Sequence, residues 1–245
     1  MNINFDKSKI KVIKCGDGAY PKKLENIYAK PQVLYVLGNE KLLNDKSIAV
    51  IGCRDCTNYG LKNSYKFAYE LARKGVCIIS GLARGIDSYA HIGALKAEGK
   101  TVAVLGCGLD IVYPPENFEL YKAIIKNNGA IITEYPLGTK PEKMNFPIRN
   151  RIISGMSDGV LVVEAKKRSG TMITVGYALE QGKDVYAIPG NISSSTSYGT
   201  NELIKEGAIP ITKIEDFEFL YQIPWHILSL FIKYIWKIGV MRLVR

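Results

Sequence analysis

The chain has 245 residues, 47% hydrophobic and 23% charged, which excludes disorder and collagen-like architecture and suits one globular domain with a short appendage. Its 33 basic residues against 23 acidic ones leave a net charge of +10, a balance that agrees with a polyanionic partner without requiring one. Five irregularly spaced cysteines behind a polar start of mixed charge argue against a secreted disulfide scaffold, so the expectation is a cytoplasmic protein with reduced thiols.

In chain order, short apolar runs predict strands over Val33–Leu37 and Ser47–Ile51, followed by an amphipathic helix over Tyr59–Lys74. A strand over Val76–Ser80 then leads to a helix over Ile86–Glu98, and one over Thr101–Leu105 to a helix over Glu116–Asn127. Next come a strand over Ala130–Thr133 with a helix over Pro147–Met156, and a strand over Gly159–Glu164 with a helix over Thr171–Gln181. The strand Asp184–Ile188 and the helix Thr200–Glu206 close the series. Most of the strands are continuous Val, Ile, Leu and Ala, the pattern of strands buried on both faces of a parallel sheet. The alternation predicts an α/β, doubly wound, mostly parallel sheet with ligands at the carboxyl ends of its strands.

Four strand exits carry glycine: Gly52-Cys53-Arg54, Gly81-Leu82-Ala83-Arg84-Gly85, Gly106-Cys107-Gly108 and Pro189-Gly190-Asn191. Glycine lets a ligand approach the backbone, and a helix start beyond it directs free N–H groups toward an anion. Tight turns need glycine in any case, but four on one edge, two with arginine close by, favour an anion site. No G-x-G-x-x-G and no G-x-x-x-x-G-K-[ST] occurs, which argues against a dinucleotide site and excludes a P-loop.

Catalytic groups are sparse. His91 falls one turn into a helix, where a bond to a neighbouring segment is the plainer role beside general base or phosphate donor. Cys53-x-x-Cys56 has no second Cys/His pair to complete a metal site, and Arg54-Asp55 between the cysteines does not suit a redox motif. Glu134 and Glu164 end strands on the functional edge, where carboxylates act as acid and base or else orient arginines and cap helices. A binding constellation is more evident. Lys140–Arg168 holds seven basic residues against three acidic ones, and within it Lys143-Met-Asn-Phe146-Pro-Ile-Arg149-Asn150-Arg151 joins cations to a ring and an amide. Cations pair with phosphates, and Phe146 can stack an unpaired base. The alternative is a core Phe146, with the arginines bridging to Glu134 or Glu164.

Several ordered segments then resemble the DNA-processing protein A (DprA/Smf) family. They are Ser80-Gly-Leu-Ala-Arg-Gly-Ile-Asp87 with Ala90-His91, Ala103-Val-Leu-Gly-Cys-Gly-Leu-Asp110 with Tyr113-Pro114 and Glu116-Asn117, and Phe146-Pro-Ile-Arg-Asn-Arg-Ile-Ile-Ser-Gly155. Val162-Val-Glu-Ala165 with Arg168-Ser-Gly170 and Thr174, Ala187-Ile-Pro-Gly190, and Gly199-Thr-Asn-Glu-Leu-Ile204 follow. The likeness covers roughly Tyr20 to Ile211.

The resemblance implies an extended Rossmann-like fold that binds single-stranded DNA, protects it, dimerises and loads the RecA recombinase in natural transformation, with no cofactor and no enzymatic activity; Pro224, His226 and two lysines in the apolar tail argue separately against an integral membrane span. Carried over by motif, it implies DNA-binding roles for Arg54, Lys143, Phe146, Arg149, Asn150 and Arg151, with Ser80, Gly81 and Gly85 near the pocket. Lys166, Ser169 and Gly170 complete the candidate set, and Arg54 is expected at a helix N-terminus. Cys53 replaces the family's serine. Residues 1–19 read as a short segment in place of a helical domain, 20–213 as the Rossmann-like domain, and 214–245 as an apolar and basic tail in place of a winged helix. Packing against the body, a dimer contact, an interfacial helix and the absence of any evolved role remain open for that tail. The competing function is a phosphoribohydrolase-like enzyme, which would need a compact P-G-G-x-G-T-x-x-E loop where this chain has Pro189-Gly190-Asn191 and, apart from it, Gly199-Thr200-Asn201-Glu202.

Overall fold

The computed structural model describes residues 6–217 and divides into two units, Met1–Thr212 and Lys213–Arg245. The described part of the second unit holds a 3-10 turn, Ile214–Asp216, and the expectations for the tail from 218 onward lie outside the described residues.

Nine strands form one mixed sheet in the first unit: β1 (Ile10–Lys14), β2 (Val33–Gly38), β3 (Ser47–Ile51), β4 (Cys77–Ser80), β5 (Thr101–Val104), β6 (Ala130–Thr133), β7 (Gly159–Val162), β8 (Asp184–Ala187) and β9 (Ile209–Pro210). Their spatial order is β1-β2-β6-β5-β4-β3-β7-β8-β9. From β6 to β9 every pairing is parallel, while β2 runs antiparallel to β6 and β1 antiparallel to β2. The central strands β3 to β7 are buried at every position, as their unbroken apolar sequences require.

Six helices join the parallel strands: α1 (Asn58–Arg73), α2 (Ile86–Lys96), α3 (Phe118–Lys126), α4 (Asn145–Gly155), α5 (Gly170–Glu180) and α6 (Tyr198–Lys205). From β3 the chain steps outward through β4 and β5 to β6, then returns to lay β7 on the other side of β3. Right-handed crossovers in the two directions place the helices on opposite faces. The core follows. Val102, Val104, Ala130 and Ile132 pack with Ile152 and Ile153 of α4 and Val175 and Ala178 of α5, while Ala103 and Ile131, one residue out of phase, pack with Tyr121 and Ile124 of α3. The reversal between β3 and β7 opens a crevice at their carboxyl ends, where such sheets bind ligands.

The predicted strands and helices all form, Ser47–Ile51 and Ala130–Thr133 with the predicted ends and the others with ends shifted by at most two residues. Asn145 and Phe146 add to the start of α4, leaving Pro147 in its first turn, where its missing N–H costs no bond. Two strands escape the sequence reading. β1, within the residues set aside as a separate leading segment, is an edge strand of mixed Lys and Ile in which Val12 is exposed and Ile13 buried. β9 has two residues and ends in Pro210, which an edge position tolerates.

His91 lies away from the crevice. Its ring is fully buried in α2, and Nδ1 meets the hydroxyl of Thr101, at the start of β5, at 2.7 Å. That hydroxyl donates to Ile78 O, so the imidazole must donate to it, and Nε2 has no partner among the described residues. Burial, with Arg149 nearby, pushes the pKa down from 6.5 to about 3. The folded state therefore refuses a proton that the unfolded chain accepts, and the stability contributed by keeping this ring neutral is fully present above pH 6.5 and lost as pH falls toward 3. Urea titrations between those limits should show stability falling with pH in the wild type and a flatter profile in His91→Gln.

Candidate nucleic-acid interface

A cavity of about 390 Å³ opens at the β3/β7 crevice. Its walls come from the turn after β3 (Gly52, Cys53, Arg54, Asp55), the first turns of α4 (Phe146, Pro147, Arg149, Asn150, Ile153), Lys143 before that helix, and Lys166, Ser169 and Gly170 after β7. Ile51, Thr171, Thr174, Ala83 and Asp87 complete it.

Helix α4 explains which of its side chains face the cavity. Residues 146, 149, 150 and 153 recur at the spacing that puts them on one face. Residue 151, two places beyond 149, points about 200° away around the helix. Arg149 is 4% exposed and forms part of the cavity wall, its guanidinium donating to Gly81 O at 2.9 Å and to Val104 O. Burial pulls its pKa down to about 10, against Asp87, so it remains a cation at neutral pH. Arg151 faces the opposite side, where Nη1 and Nη2 hold the two Glu134 oxygens at 2.6 Å each and Nε donates to Ala29 O. That pairing is the bridging alternative raised from the sequence, and it takes Arg151 out of the cavity.

The turn after β4 is fixed from beneath. The Asp87 carboxylate accepts the Gly81 N–H at 3.0 Å and the Ala83 N–H at 3.4 Å, while Asn117 donates to Leu82 O and Ala83 O. Burial raises the Asp87 pKa, and Arg149 and those N–H groups oppose the rise. Leu82 is thereby held at φ +55°, a left-handed conformation rare outside glycine and common at ligand sites. Gly81 permits the packing, since a Cβ there would fall 2.6 Å from Arg149 Nη2 and 2.7 Å from Asp87 Oδ2. At Gly85 φ is +72°, and a Cβ would meet the carbonyls of Cys53 and Arg54 at 2.6 and 2.5 Å. Glycine there lets the start of α2 press on the Arg54 turn.

Eight of the twelve residues proposed from the sequence therefore line one cavity: Arg54, Lys143, Phe146, Arg149, Asn150, Lys166, Ser169 and Gly170. Arg54, Lys143 and Lys166 are exposed, and the Arg54 guanidinium carbon lies 5.5 Å from the centre of the half-buried Phe146 ring. Arg54 is not at a helix terminus as expected. It stands in the turn before Thr57, which caps α1. Ser169 precedes α5, and its buried hydroxyl has no partner among the described residues. Gly81 lies in an adjoining hollow, and Gly85 supports the Arg54 turn. Ser80 is buried, its hydroxyl tying β4 to β3 through Val50 O at 2.7 Å.

The other groups weighed from the sequence have structural partners. Glu164 is buried, both carboxylate oxygens accepting from Thr57 and one also from Thr196, so it caps α1 as one of its sequence readings allowed. It borders a separate cavity of about 440 Å³ with Tyr59, Pro189 and Gly190. Burial raises the thiol pKa values of Cys53 and Cys56, the latter to about 11, which disfavours thiolate chemistry.

Residues 11–221 match the family model described as DNA recombination-mediator protein A. The chain belongs to that family. It is 46% identical over 207 residues to the DNA processing protein DprA of Streptococcus pneumoniae, spanning 83% of this chain and 73% of that protein. Against protein Smf of Escherichia coli the identity is 45% over 80% of this chain but 53% of the relative. The solved structure of the pneumococcal family member superposes with a TM-score of 0.80 at 43% identity, covering 85% of this chain and 73% of that one. The Helicobacter pylori family member, whose structure describes a single-stranded DNA binding mode, superposes with a TM-score of 0.75 at 33% identity, over 85% and 94% of the two chains. A molybdenum cofactor binding protein from Rippkaea orientalis, 22% identical with a TM-score of 0.52 over 73% and 96%, shares the fold.

Proposed function

We propose that the protein binds single-stranded DNA in the β3/β7 crevice without cleaving it, shields it, and loads the RecA recombinase onto it as a homodimer in the cytoplasm. One observation carries the binding step: three exposed cations, Arg54, Lys143 and Lys166, share a cavity wall with the half-buried ring of Phe146. Phosphates meet the cations and a base meets the ring, a combination that accepts any sequence but requires unpaired bases. Family membership and the single-strand binding mode of the H. pylori relative support the same reading. Support for a non-catalytic role comes from Glu164 and Glu134, both committed to structural partners.

A salt-dependent titration with single- and double-stranded oligonucleotides tests this. Tighter binding to the single strand is expected, with log affinity falling linearly in log salt by about 0.7 per phosphate contact. Equal affinity for duplex, or release of free base from nucleoside monophosphates, would overturn it.

A further inference from the structure

The main cavity does not end at Phe146. An adjoining hollow of about 30 Å³ shares Arg54, Phe146 and Arg149 with it and adds Arg84 and Tyr113. Phe146 therefore stands between a large compartment and a small one.

Tyr113 bounds the small compartment. It is 40% exposed, and its ring centre lies 5.4 Å from that of Phe146 at a tilt of 35°. The Tyr113 ring meets Phe146 and stands in the field of the Arg84 guanidinium. Its loop is firmly held. Tyr121 donates to Leu109 O at 2.8 Å, Asp110 accepts the Gly138 N–H at 2.9 Å, and Asn117 is bonded to the turn after β4. An exposed aromatic ring on a fixed loop beside cations is the composition of a single-strand stacking platform. Arg84 lies on the same rim, paired with Glu116, but both side chains are largely exposed, at 62% and 47%. Such a surface pair yields readily to a competing phosphate.

Two magnitudes fix what the hollow can take. At about 30 Å³ it holds little more than a water molecule, so a base must lie open on the Tyr113 ring rather than be enclosed. The 5.4 Å between the ring centres is an ordinary contact distance for aromatic rings, so the two platforms adjoin and a strand seated on one reaches the other.

We infer that Tyr113 is a second base platform and Arg84 its phosphate partner, so that an unpaired strand seated on Phe146 continues onto Tyr113. This rests on the single-strand reading above and extends its site by one nucleotide. The test is fluorescence anisotropy of the full chain with labelled oligothymidylates, from the shortest that the wild type retains to several times that length. Tyr113→Ala should weaken the long oligomers about tenfold and leave the shortest unchanged, while Tyr113→Phe stays within about twofold throughout. Arg84→Ala, at an exposed site that does not threaten folding, should lower the salt slope by about 0.7 on long oligomers only. Wild-type affinity for long oligomers in both Tyr113→Ala and Arg84→Ala would overturn the inference. So would an equal loss at every length in Tyr113→Ala, because Tyr113 would then merely buttress Phe146. Failure of the wild type to bind any single strand would instead overturn the reading on which the inference rests.

Discussion

Phe146→Ala should weaken single-strand binding by about tenfold or more while the protein melts as the wild type does. The ring is half-buried at the mouth of the cavity, in the first turn of α4, so truncation removes a stacking surface without opening the core. Stacking of one base on an aromatic side chain contributes about 1–3 kcal/mol, and each 1.4 kcal/mol is about tenfold in affinity. Arg54→Ala should produce a loss of similar size by a different route. It removes a phosphate partner and also the guanidinium beside the Phe146 ring, so the salt slope should drop by about 0.7, whereas Phe146→Ala should leave that slope as it is. Lys143→Ala should share the slope change. Lys122→Ala, on α3 and outside the cavity wall, should change neither affinity nor slope. Anisotropy titrations at several salt concentrations read both quantities.

Arg151→Ala should cost stability. Its side chain and that of Glu134 are 8% and 17% exposed, joined by two bonds of 2.6 Å, and Arg151 also holds Ala29 O and Ile148 O. Removing one partner of a buried pair leaves the other charged and desolvated, at a cost of about 3–5 kcal/mol. Arg151→Lys should recover only part of this, because an ammonium cannot span both carboxylate oxygens. Urea denaturation reads the loss. A midpoint unchanged in Arg151→Ala would mean that the pair contributes nothing to folding.

The contrast between Arg149 and Arg151 marks how far the sequence was legible. Both belong to one basic segment, and composition gives them the same role. Their separation needs the helix, because two residues along α4 is more than half a turn, enough to send one side chain to the cavity and the other to Glu134. The sheet itself was readable because strands buried on both faces must be continuously apolar, as Ser47–Ile51 and Ala130–Thr133 are. β1 and β9 were not, since an edge strand buries few side chains and β9 has two residues. Tyr113 stood in a quoted motif without a role because its partner, Phe146, lies far along the chain. Asp87 and Asn117 were similarly silent: they act on backbone groups of the turn after β4, which no residue pattern reveals.

The most direct measurement is photocrosslinking of the full chain to a single-stranded oligonucleotide carrying halogenated pyrimidines, followed by mass spectrometry of the peptides and electrophoresis of the strand. Crosslinks should fall on the peptide containing Phe146 and vanish in Arg54→Ala/Lys143→Ala, and strand not crosslinked should be recovered at full length. Crosslinks confined to other faces of the molecule, or a shortened strand, would contradict the proposed function.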